Sequence, residues 1–323
     1  MQKTLSRDLG IFSLISIACG AMVSGLLVLP GYAAGMTGPS VFLAFLLAGI
    51  LFLPATLSKS EMATALPESG GDYLFIDRSL GPFFSTISGL GMFITLVMKS
   101  AFALAGFGAY LVLIVPLGPQ FAQISGVGIA GLIILINYRG AKKSGTVQQV
   151  LFIVTVLALM WFIGEGSLGV YHENLNPAMR GGWTGFFAAT AFVFVSYAGV
   201  TKIASVAEEV KNPGRMIPVG MLVSLGVMVF LYVIVVYVMV GNVPVDQFLE
   251  LKKYKDAPLA LAGMKVAGDW GMYFLAGISV LALTAMANAG VLASSRYPFA
   301  LSRYKQLPDF INRIHPEFST PSV

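Results

Sequence analysis

One cysteine, Cys19, and two histidines, His172 and His315, are all that this 323-residue chain offers to thiol or imidazole chemistry. A single cysteine excludes an intrachain disulfide, and one cysteine with two distant histidines builds no zinc cluster. Charge is scarce too, with only 11% of residues being Asp, Glu, Lys or Arg. No nucleophile elbow, phosphate-binding loop or intramembrane carboxylate pair occurs, so enzyme chemistry has little to stand on. No cofactor and no metal are expected. Nor is there a patch in which basic and aromatic residues alternate, which argues against a nucleic-acid partner.

What the chain has is apolar length. It is 57% hydrophobic, with a mean hydropathy of +0.82. The apolar residues fall into blocks at Asp8–Ala34, Ser40–Leu57, Pro82–Leu117, Phe121–Ile136, Val147–Ile163, Trp183–Thr201, Ile217–Val240 and Trp270–Leu292. Each block is close to the length that crosses a bilayer core as a helix. The expected fold is therefore all-α, a polytopic membrane helix bundle with about eight helices in one domain over 1–323. The first block is too long for a signal peptide, has no small-residue cleavage site, and is followed at once by more spans.

Eight passes from a cytoplasmic N-terminus place Lys3, Arg7, Lys59, Arg78, Arg139, Lys142, Lys143, Lys202, Lys211, Arg215, Arg296, Arg303, Lys305 and Arg313 inside. Arg180, Lys252, Lys253, Lys255 and Lys265 fall outside, and Lys99 falls within the membrane. That bias follows the positive-inside rule and expects both ends of the chain in the cytoplasm, in a plasma or inner membrane. It also accounts for the net charge of +5.

Two spans carry small, flexible points near their middles. Span one reads Gly20-Ala21-Met22-Val23-Ser24-Gly25, and span six reads Ser196-Tyr197-Ala198-Gly199-Val200-Thr201. Glycine lowers helix propensity. An unwound turn frees backbone groups that lipid cannot satisfy, so it must face protein or a water-filled cavity. The same small residues equally suit close helix packing. Breaks at matching positions of two repeats point to a midplane substrate site.

Several segments carry a family resemblance. Gly20 to Pro30 is similar to the glycine-rich break in the first helix of the amino acid–polyamine–organocation (APC) superfamily of permeases. Glu61-Met62-Ala63-Thr64-Ala65-Leu66-Pro67-Glu68-Ser69-Gly70-Gly71-Asp72-Tyr73 resembles the pattern after its second helix. Glu208 to Pro218 resembles the Glu-Glu-x-Lys-Asn-Pro loop after its sixth, and Arg296 to Pro308 the loop after its eighth.

The resemblance implies an inverted-repeat fold of the leucine-transporter type, with a first repeat over 1–168 and a partial second repeat over 183–323. It also implies substrate binding by Ala21, Met22, Val23, Ser24, Gly25, Ser196, Tyr197, Ala198 and Gly199. The helix-one backbone would hold the substrate carboxylate, and carbonyls of both breaks its amino group. The chain departs from the family pattern in three places. One residue fewer lies before Gly25. Val200 stands where an aromatic gate is usual, with Tyr197, Phe194 or Phe192 as substitutes. The chain also ends at Val323, about four helices short, so it is expected to be truncated after the eighth helix.

Lys99, near the centre of span three, is the coupling candidate. A lysine there costs about 3 kcal/mol on insertion scales. At helical spacing it shares a face with Ser88, Thr95, Gly106 and Tyr110, which should face the bundle. No carboxylate sits mid-span elsewhere. That leaves a neutral amine, donation to carbonyls at a helix break, or a partner in the substrate or in further helices. Snorkelling to the interface is the plain alternative. Asn288, Ser294 and Ser295 are weighed for a sodium site, with proton coupling or exchange preferred. Glu208 and Glu209 are expected to organise the loop by pairing with Lys or Arg.

The reading reached is a secondary active amino-acid transporter, with an amino acid, a proton (or sodium) and the lipid bilayer as partners. A non-transporting membrane scaffold or remnant and a polyamine or organic-cation carrier are the alternatives.

Overall fold

The computed structural model describes residues 7–68, 71–115, 118–139, 141–251 and 256–312. The expectations resting on Lys3, Ser69, Gly70, Lys252, Lys253, Lys255, Arg313 and His315 lie outside the described residues. Among the described residues there are twelve α-helices: α1 (Ile11–Thr37), α2 (Val41–Ala65), α3 (Asp72–Leu80), α4 (Pro82–Ile114), α5 (Pro119–Tyr138), α6 (Ala141–Ser167), α7 (Gly182–Phe194), α8 (Lys202–Ser205), α9 (Pro213–Asn242), α10 (Val245–Glu250), α11 (Pro258–Ser294) and α12 (Arg296–Arg303). A 3-10 segment, Val195–Thr201, joins α7 to α8.

Eight of these runs are long and apolar enough to cross a membrane, the sixth being α7 through α8. Long side chains such as Ile87, Ile94, Met98, Val127, Leu157 and Phe230 remain exposed on their outer faces, as lipid-facing residues do. The chain is thus a multi-pass membrane protein. Several helices extend beyond the apolar blocks of the sequence. The added turns at Ser58–Ala65 and Pro213–Met216 are polar enough to escape a hydropathy reading yet still helical.

α1 is the most enclosed span and α5 the least. The first packs against α9, α11, α6 and the sixth span, and α11 lies along α4. These long-range contacts are those of an inverted-repeat bundle of the leucine-transporter type. The eighth span begins earlier than expected, because a short helical arm precedes a kink at Ala267 and Gly268. Gly268 has φ +63°, a left-handed angle that glycine adopts without a Cβ penalty.

One end of the bundle is tied together. Leu9 pairs with the loop after the sixth span through Leu9 N–H to Glu209 O (2.9 Å) and Lys211 N–H to Leu9 O (3.1 Å). The interfacial helix α3 packs on α4 and α12, joined by a cluster of Tyr73, Leu74, Ala300 and Leu301. Lys59 reaches Asp72 at 2.6 Å at the same end. The first, sixth and eighth spans therefore present their segment ends on a common side, as an even number of crossings requires.

Candidate functional site

α1 does not break. It is continuous from Ile11 to Thr37, with Pro30 inside it, and the unwound turn expected over Gly20–Gly25 is absent from this conformation. Its glycines serve contact instead. A Cβ on Gly20 would fall 1.8 Å from Gln148 Nε2, and one on Gly25 would fall 2.4 Å from Ser196 Oγ and 2.8 Å from the Tyr232 hydroxyl. α1 is surrounded by other helices, and that packing outweighs the intrinsic cost of two glycines, roughly 1 kcal/mol each.

The sixth span does change form where small residues were noted. Val195–Thr201 winds as a 3-10 helix between α7 and α8. This tighter winding brings its backbone against α1, since a Cβ on Gly199 would lie 2.7 Å from Met22 Cγ and 2.9 Å from Ala21 C and Met22 N. The structure thus brings together Ala21, Met22 and Gly25 with Ser196 and Gly199. Val23 and Ser24 are buried within α1, and Ala198 is half-buried. Tyr197 points elsewhere: its hydroxyl donates to Phe45 O of α2 at 2.8 Å, and its ring packs on Phe52 and Tyr232. Two tyrosine hydroxyls reach α1 carbonyls around the contact, Tyr232 donating to Met22 O and Tyr110 to Leu27 O (2.6 Å).

Lys99 lies beside this contact. Its Nζ donates to Val195 O at 3.5 Å, a long bond to the first residue of the 3-10 segment. Of the options open from the sequence, donation to a carbonyl at the helix break is the arrangement seen. The polar stripe of α4 only partly faces inward. Tyr110 and Gly106 are buried, Ser88 is half-buried, and Thr95 is exposed with its hydroxyl returned to Gly91 O. Lys202, counted among the cytoplasmic charges, is instead buried at 3% exposure where the 3-10 segment gives way to α8. Hydropathy places a lysine at a helix end and cannot tell that the end is enclosed.

A polar network that the sequence did not reveal crosses four helices nearby. Asn137 on α5 donates to Asn288 on α11 (2.9 Å), Asn288 donates to Gln148 on α6 (3.0 Å), and Gln148 donates to Ser16 O on α1 (3.2 Å). Gly20 makes the room for Gln148, and that pairing of a glycine with a distant amide had no local signal. Asn288 is thus engaged with amides. Ser294 and Ser295 return their hydroxyls to Val291 O and Leu292 O of their own helix. Among the described residues no group of three or more His, Cys, Asp or Glu could hold a metal ion.

The glutamates after the sixth span pair with arginines at the tied end. Arg296 Nε donates to Glu209 Oε1 at 2.7 Å, with both side chains nearly fully buried, and Arg303 Nη1 reaches Glu208 Oε2 at 3.0 Å. Burial pushes the Glu209 carboxyl above the ordinary carboxylate range, and the Arg296 guanidinium and its hydrogen bond pull it back.

Comparison with known proteins gives this geometry a context. A family described as amino acid permease matches residues 9–323. The branched-chain amino acid permease BcaP of Bacillus subtilis (strain 168) is 30% identical, over 100% of this chain and 72% of its own length. The methylthioribose transporter of the same organism is 28% identical, over 99% of this chain and 72% of its own length. Cationic amino acid transporter 5 of Arabidopsis thaliana is 24% identical, over 99% of this chain and 58% of its own length.

Proposed function

The chain belongs to the amino acid permease family, a family of membrane permeases for small solutes rather than of enzymes. From that premise we propose that it is a secondary active transporter of amino acids, working by alternating access around the contact between α1 and the sixth span. The observation that carries this reading is the close approach of the two segments, Gly25 against the Ser196 side chain and Gly199 against the backbone of Ala21 and Met22. Two transmembrane segments meet there at glycines, and one of them has already left α-helical winding.

In this reading the substrate enters between Ala21–Gly25 and Ser196–Gly199 when the two segments part. The backbone groups of α1 are spent within its helix in the conformation described, so binding requires that helix to loosen at Gly20–Gly25. The tyrosine hydroxyls on Met22 O and Leu27 O are acceptor-seeking groups that hold α1 in the closed form. Glu209–Arg296 and Glu208–Arg303 then act as a latch on one end, the cytoplasmic end by the charge bias, in a plasma or inner membrane. The two repeats would run over 1–168 and from 183 onward. Lys99 reads the state of the sixth span through Val195 O, which places it where a proton could be coupled to the cycle; sodium is the alternative ion.

The test is ligand-dependent stability. Amino acids should raise the melting temperature of the purified protein in detergent, and Gly25→Val should remove that response while the variant still inserts and folds, because its side chain fills the contact. An undiminished response in the variant contradicts the assigned site.

A further inference from the structure

Two buried polar atoms on the sixth span, Ser196 Oγ and Lys202 Nζ, make no hydrogen bond of good geometry among the described residues, although Ser196 lies beside the Tyr232 hydroxyl. They are related by structure. A 3-10 helix has three residues per turn, so 196, 199 and 202 eclipse one another on one face. Gly199, the middle member, is the residue pressed against α1. The backbone stays near 3-10 values through Thr201 (φ −69°, ψ −13°) and Lys202 (φ −63°, ψ −23°), so the stripe continues to the lysine. Six residues at about 2.0 Å rise separate the two Cα atoms by roughly 12 Å. A helical side chain leans towards the N-terminus, and that tilt is the one a lysine at 202 needs to approach a ligand held at Ser196.

The charge around this stripe is one-sided. The carboxylates nearest Lys202 in sequence, Glu208 and Glu209, are engaged by Arg303 and Arg296. The second cation of this region, Lys99, donates to Val195 O, next in the chain to Ser196. An ammonium at 3% exposure with no ion-pair partner among the described residues carries a large desolvation penalty. Three N–H donors and a serine hydroxyl on one face call for an acceptor-only group, and a carboxylate is the common one.

We propose that Lys202 and Ser196, flanked by Lys99, form a carboxylate subsite on the sixth span, and that the substrates favoured are amino acids carrying a second, side-chain carboxylate. The proposal rests on the transporter reading above and names its substrate class. The same two lysines repel a cationic side chain, so polyamines and lysine- or arginine-like substrates are disfavoured.

The experiment measures binding of L-glutamate, L-leucine and L-lysine to the purified protein, for wild type, Lys202→Met and Lys202→Arg. Wild type should bind L-glutamate at least tenfold more tightly than L-leucine, and L-lysine weakest. Lys202→Met should lose at least tenfold for L-glutamate and little for L-leucine, and Lys202→Arg should retain most of the L-glutamate affinity. Lys202→Met removes a buried charge, so its ligand-free melting temperature should equal or exceed wild type, which separates lost binding from lost folding. Unchanged L-glutamate affinity in Lys202→Met overturns the subsite. Equal losses for L-glutamate and L-leucine overturn the side-chain assignment, because Lys202 would then serve the α-carboxylate. Protection by chloride alone, lost in Lys202→Met, overturns the carboxylate assignment. Binding of L-leucine without L-glutamate sinks the subsite and leaves the permease reading standing, whereas binding of no amino acid by wild type sinks both.

Discussion

Glycines 25 and 199 meet different neighbours, and that difference sets what their substitutions do. A methyl at Gly25 strikes the Ser196 side chain and the Tyr232 hydroxyl, which have rotamers to escape into. A methyl at Gly199 strikes backbone atoms of Ala21 and Met22, which do not. Gly199→Ala is therefore expected to cost about 1–3 kcal/mol of stability, whereas Gly128→Ala, which faces open space, should be neutral or slightly stabilising. Thermal unfolding of the two variants in one detergent checks this, and equal stability would remove the close approach from the account. Lys99 makes a second prediction at this scale. Lys99→Met keeps the side-chain length and inserts more easily, yet should abolish proton-driven accumulation while sparing counterflow of labelled substrate. Unchanged accumulation at an imposed pH gradient would reduce Lys99 to a packing residue.

Helices show where sequence patterns suffice and where they fail. Eight spans were legible because apolar length is a local property. The irregular winding of the sixth span was legible for the same reason, in Ser196, Gly199 and Thr201. The same composition misled for α1, where Gly20 and Gly25 look like a break and instead admit Gln148 and Ser196. Which role a glycine takes depends on what stands opposite, and that partner is more than a hundred residues away. The amide network of Asn137, Asn288, Gln148 and Ser16 was hidden for this reason too, its members lying on four different helices far apart in the chain. Gln148→Leu removes the links from Gln148 to Asn288 and to Ser16 O and is expected to cost about 1–3 kcal/mol. Denaturation that fails to distinguish the variant from wild type would show the network to be incidental.

Over the whole molecule, Leu9, Val210 and Arg296 share one side of the bundle, and from the positive-inside pattern we propose that this side faces the cytoplasm. Moving Lys202 from the loop into the bundle weakens the bias by one residue without reversing it. Cys19 is fully buried, so Cys19→Ser gives a quiet background for labelling. A cysteine at the exposed Asn176 should react with an impermeant reagent from outside, and one at the exposed Lys211 only from inside. The opposite pattern would invert the model.

The central claim is that solute passes between α1 and the sixth span, and counterflow in liposomes tests it most directly. Protein reconstituted with unlabelled amino acid inside should accumulate labelled amino acid from outside. Gly25→Val, inserted to the same level, should accumulate none. Counterflow in the variant equal to wild type would contradict the account.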